Sequence, residues 1–131
     1  MPQSPKNTGN IIGQIALKFT IMRDTMKFYH WSTTIFARHL EADKFVDNLT
    51  LKMDRFIEVM QGLYNKRAIV PSKMVSIKKH TDASIVKELN NYKKFLINEI
   101  PKYIKGDTDL MNIRDDMLAD VNNTLYLFTF N

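Results

Sequence analysis

The chain predicts an all-α fold, a four-helix bundle with one long crossover between its second and third helices. Apolar residues recur every three or four positions through most of the sequence. No stretch of useful length alternates apolar and polar residues as a half-buried strand would. The breaks between periodic segments leave short connections first and last and a long one in the middle. At 131 residues, 44% hydrophobic and 25% charged, the chain has the size and composition of one domain with its own core. Residues 1–9 are expected to be a flexible segment and residues 10–131 the four-helix domain.

Each helix is defined by its stripe. Ile12, Ile15, Phe19, Met22, Met26 and Tyr29 place a first helix over about residues 10 to 31. Ser32, Thr33 and Thr34 offer N-caps for a second, whose stripe is Ala42, Phe45, Val46, Leu49, Met53, Phe56, Met60 and Leu63, with Gly62 as the end signal. Ile85, Leu89, Tyr92, Leu96 and Ile100 mark a third, which Pro101 should kink or close because proline donates no backbone bond. After Gly106, with Thr108 or Asp109 as cap, Leu110, Ile113, Met117, Val121, Leu125 and Phe128 mark the fourth. The eight methionines and the many Phe and Tyr at this spacing read as core filler. Short outer turns make the first and last pairs antiparallel neighbours, and one long crossover is the ferritin-like arrangement of such a bundle.

Composition removes several function classes. Cysteine is absent, which excludes disulfides, thiolate zinc sites and a cysteine nucleophile and fits a reducing compartment. The start, MPQSPKNTGN, lacks the blocks of a signal peptide, and no apolar run approaches a membrane span. A cytoplasmic protein is expected. There is no Gly-rich phosphate loop and no Ser-His-Asp arrangement. The net charge is +5, and Lys66, Arg67, Lys73, Lys78 and Lys79 account for all of it, because no acid lies between Glu58 and Asp82 and the other 14 basic residues balance 14 acidic ones. That segment is a candidate polyanion-binding stretch and predicts at most weak nucleic-acid binding; a solvated basic loop is the plainer reading.

The most informative spacing is His30-Trp31, then His39, Asp43, Asp54 and Glu58. Imidazole and carboxylate are ligands for borderline-to-hard ions such as Fe(II) or zinc. On the second helix, His39, Asp43, Asp54 and Glu58 fall within an arc of about 100° and share a face. Asp43 and Asp54 are nevertheless roughly 16 Å apart along the axis, so one helix cannot close a site around one ion. Two copies paired antiparallel about a two-fold axis near residues 48 and 49 would bring His39 and Asp43 of one against Asp54 and Glu58 of the other. His30 would join across the short turn. Asp47 lies on the same face as a candidate outer group, with an exposed helper charge as the equal alternative.

The segment KFYHWSTTIFARHLEADKFVDNLTLKMDRFIEVMQG resembles the corresponding region of the Dps-type mini-ferritins, where His-Trp closing one helix is followed by His-x3-Asp-x10-Asp-x3-Glu on the next. The resemblance implies that His30, His39 and Asp43 bind iron together with Asp54 and Glu58 of the partner subunit. It also implies that Trp31, beside the site, supplies an electron to a trapped oxidant. Family members oxidise Fe(II) with peroxide or oxygen, store the product inside a twelve-subunit shell, and in many cases coat DNA. The chain departs from the family in a shorter turn after His30, a middle connection too short for the family's extra helix, and an N-terminal arm with only Lys6. Its Lys-, Asn- and Ile-rich composition is compatible with shorter relatives of phages and large DNA viruses, for which host cytoplasm or virion would be the location. The Glu-x-x-His pairs of di-iron bundles are absent. Two other readings stay open, a non-enzymatic structural or virion-associated assembly module and a DNA-compacting protein.

Overall fold

The computed structural model describes residues 7–104 and 106–130. Among them every regular element is helical: α1 (Thr8–Ser32), α2 (Phe36–Tyr64), α3 (Ser84–Lys94), a π-helical turn Phe95–Glu99, α4 (Ile100–Ile104) and α5 (Thr108–Leu127). Since α3, the π turn and α4 follow one another without a break, the architecture is four helical rods. None of the helices is long and apolar enough to cross a membrane.

The rods form because their apolar stripes have a common core to fill. Phe19 of α1 sits at its centre, edge-on to Phe56 of α2 at 5.4 Å and to Phe95 at 6.0 Å. Its full burial is worth about 1.5–3 kcal/mol relative to exposure. Met53, Leu63 and Leu125 pack only partly buried at the margin. Lys52 and Asp120 pair across the outside of α2 and α5.

Helix ends differ from the sequence expectation. The helix that starts at Thr8 takes in the end of the stretch expected to be flexible; residues 1–6 lie outside the described residues. Residue Ile35, not a Ser or Thr, is the N-cap of α2. The Thr33 hydroxyl accepts the Ile35 N–H at 3.2 Å but donates to Asp82 at 2.9 Å, so a distant partner competes for the cap. Gly62 stays helical, and α2 runs two residues farther to Tyr64, capped by Asn65, whose φ of 52° is left-handed. Asp107 precedes the first residue of α5 in place of Thr108 or Asp109. Pro101 neither closes the third rod nor stops it. The π turn just before it widens the helix, with the Ile100 N–H reaching the carbonyl of Phe95, and so makes room for a ring that an α-helical turn would crowd.

Both ends of the molecule are tied by polar groups. At one end the Tyr29 and Thr33 hydroxyls donate to the Asp82 carboxylate at 2.6 and 2.9 Å. Arg38 donates to the Tyr29 oxygen at 3.0 Å, the Asp82 carbonyl at 2.6 Å and the Phe128 carbonyl at 3.0 Å. At the other end the Tyr64 hydroxyl donates to buried Asp107 at 2.6 Å.

The segment between α2 and α3 runs from the second of these ends to the first. It starts against the beginning of α1, where the Ile69 N–H donates to the Gly9 carbonyl at 3.0 Å. A Cβ on Gly13 would lie 1.9 Å from the Ile69 carbonyl oxygen, so only glycine admits this approach. It finishes at Asp82, beside the far end of α1.

Candidate metal centre

The last turn of α1 and the first turns of α2 meet across Thr33–Ile35, and this short turn places His30 and His39 face to face. Their rings stack at 4.0 Å with an interplanar angle of 17°. Nδ1 of His30 donates to the His39 carbonyl at 2.6 Å, and Nδ1 of His39 donates to the His30 carbonyl at 2.8 Å. A carbonyl can only accept, so each Nδ1 must carry the proton. In the neutral rings Nε2 is then left with its lone pair. This arrangement orients a histidine for metal binding, and it also satisfies a carbonyl at the end of α1 that would otherwise lack a helical partner.

Asp43, one turn beyond His39, brings its Oδ1 to 3.8 Å from Nε2 of His30. Lys27 of α1 donates to the same carboxylate at 2.7 Å. That bond, more than any other influence, holds the Asp43 carboxyl below the usual carboxylate range, with the Lys27 charge, and those of His30 and His39 when they are protonated, acting in the same direction. Lys27 also lies 5.6 Å over the ring of Trp31. The exposed Trp31 ring meets exposed Phe28 edge-on at 5.5 Å.

The structure therefore brings together His30, His39 and Asp43, and it adds Lys27, which sequence reasoning passed over. Its signal was its position, one turn before His30 and Trp31 on the same helix. Asp54 and Glu58 are exposed farther along α2. Asp54 lines a groove of about 370 Å³ with Arg23, Leu51, Met53 and Ile57. Asp47 is exposed between the two halves. Among the described residues of one chain, no group of three or more His, Asp or Glu side chains is arranged to hold an ion, so His30, His39 and Asp43, though neighbours, do not form a closed site by themselves. Lys66, Arg67, Lys73, Lys78 and Lys79 are all exposed along the connection between α2 and α3.

Fold and site together define an all-α protein with a histidine pair locked between its first two rods. Residues 30–128 match the Family of unknown function (DUF5856), and the chain belongs to that family. The matched span contains every residue of the His30 to Glu58 constellation. No curated protein and no solved structure matches the chain.

Proposed function

We propose that the protein is a ferritin-like protein of the Dps type that takes Fe(II) as substrate at a site shared between two subunits and oxidises it with hydrogen peroxide or oxygen, for iron detoxification, storage and oxidative protection. The observation that carries this reading is the reciprocal bonding of His30 and His39. It engages both rings through Nδ1, so that in the neutral rings each Nε2 keeps its lone pair, that of His30 lying 3.8 Å from the Asp43 carboxylate. The path of the link along α1, which sets α2 and α3 in the same direction, supports a single-crossover connection of the ferritin kind.

One subunit supplies too few donors, and the outer face of α2 suggests where the others come from. Leu40 and Leu51 are 55% and 73% exposed on it, flanking the proposed axis. Antiparallel pairing would set Leu40 of one copy near the Leu51, Met53 and Ile57 groove of the other, bringing His39 and Asp43 to the partner subunit's Glu58 and Asp54. His30, His39 and the carboxylates would bind Fe(II) and leave coordination positions open to the oxidant. Two Fe(II) each lose one electron, and one hydrogen peroxide gains both, its O–O bond breaking and two protons from solvent being taken up to give two waters. Trp31 is placed to give up an electron to excess oxidant; Trp31→Phe should leave iron oxidation intact and remove a protein-centred radical signal.

Anaerobic titration with Fe(II), followed by peroxide, tests the reading. Saturable binding and rapid oxidation are expected. If wild-type protein binds no Fe(II), the α2 face is an assembly surface only, and Asp54→Ala with Glu58→Ala should change association or stability and nothing else.

A further inference from the structure

The connection between α2 and α3 is pinned at both ends and free in between. Ile69 is fixed to α1 by its bond to Gly9, and the other end is fixed through His80, whose Nδ1 lies 3.0 Å from the Ser84 hydroxyl, and through Asp82. From Val70 to Lys79 no backbone N–H or C=O makes a hydrogen bond to the rest of the described chain. The stretch is without helix or strand pairing and runs for about 30 Å if extended. Its side chains are apolar at Val70, Pro71, Met74, Val75 and Ile77, cationic at Lys73, Lys78 and Lys79, and small and polar at Ser72 and Ser76. Val70 is 87% and Met74 101% exposed, and Lys73, Lys78 and Lys79 make no ion pair or side-chain hydrogen bond among the described residues. An exposed stretch whose backbone N–H and C=O groups are unpaired is a template for strand addition, and its lysines favour an acidic partner over another copy of itself.

We infer that residues 70–79 are a docking edge for an extended peptide that alternates acidic and apolar residues. The unpaired backbone from Ser72 onward supplies the ladder, since Pro71 has no N–H to donate; Val70, Met74 and Val75 supply apolar contacts, and the three lysines select negative charge. Pinning both ends reduces the ordering cost on binding. A second copy of the same stretch is disfavoured, since the segment from Lys66 to Lys79 holds five cations and no acid. Single-stranded nucleic acid matches the charge, but its bases need aromatic platforms; the stretch itself contains no Phe, Tyr or Trp, and Phe28 shares a groove with Lys78 and Lys79, so an oligonucleotide is the competing outcome of the test.

The test is calorimetric titration of the whole chain with a blocked peptide of alternating Glu and Val, with a Ser-Val peptide and a thymidine oligonucleotide as comparisons. The Glu-Val peptide alone should bind saturably. Met74→Pro and Val75→Pro, made singly, each delete one N–H while keeping the charge. Because alternate N–H groups face a ladder partner, one of the two should weaken binding by roughly three- to tenfold with the fold's melting temperature unchanged. Neutralising Lys73, Lys78 and Lys79 to Gln should weaken it too. Equal binding of the oligonucleotide, untouched by either proline, would make the stretch a polyanion surface and overturn the inference; so would binding of the Ser-Val peptide, or no binding of Glu-Val at millimolar concentration.

Discussion

Lys27 holds its ammonium against Asp43, so under the proposed function it competes with the incoming cation. The pair is about a third exposed and screened accordingly, so Lys27→Gln should strengthen Co(II) or Fe(II) binding by only about 1.5- to 5-fold. The same change should return the Asp43 carboxyl toward its ordinary titration range by NMR. A loss of affinity instead would make Lys27 a positioning partner. Asp82 gives a second prediction, about stability. The Tyr29 hydroxyl first, then Thr33 and the Arg38 charge, hold its carboxyl below the usual range. A depressed folded pKa stabilises above the unfolded value of about 3.9 and is lost as pH falls through the folded one. Asp82→Asn should therefore lower the melting temperature at neutral pH, and the difference from wild type should shrink below about pH 4.

At the scale of elements, the two glycines of opposite environment make a matched pair. Gly13 lies under the Ile69 carbonyl, so Gly13→Ala must push the link away and should destabilise by about 1–3 kcal/mol. Nothing lies within 4 Å of a Cβ on Gly62, so Gly62→Ala, in the last turn of α2, should stabilise by about 0.5–1 kcal/mol. Chemical denaturation of both variants checks the sign difference. The helices themselves are legible in the sequence because burial follows the 3.6-residue period: Ile12 through Tyr29, Ile85 through Ile100 and Leu110 through Val121 sit inside at the stripe positions read from spacing. Their ends are less so. Thr33 spends its hydroxyl on Asp82, forty-nine residues away, and Pro101 is accommodated by a π turn that periodicity does not announce. The His30, His39 and Asp43 cluster is legible because a three-residue turn and an i,i+4 spacing fix it locally. Lys27 and the Arg38 knot are not, because a cation on a helix says nothing of what packs against it.

For the molecule as a whole, α2 separates His39 and Asp43 from Asp54 and Glu58, and the proposed function requires pairing of copies to reunite them. The exposed Leu40 and Leu51 are part of that claim: Leu40→Glu with Leu51→Glu should hold the chain monomeric in analytical ultracentrifugation, leave its helix content unchanged, and abolish iron oxidation. The most direct measurement mixes two inactive variants, His39→Ala/Asp43→Ala and Asp54→Ala/Glu58→Ala, after allowing subunits to exchange, and follows Fe(II) oxidation by peroxide. A shared two-fold site requires that mixing restore up to about one quarter of the wild-type sites, since half the dimers are mixed and each holds one intact site. No recovery on mixing, with exchange verified and wild type active, would contradict an inter-subunit centre.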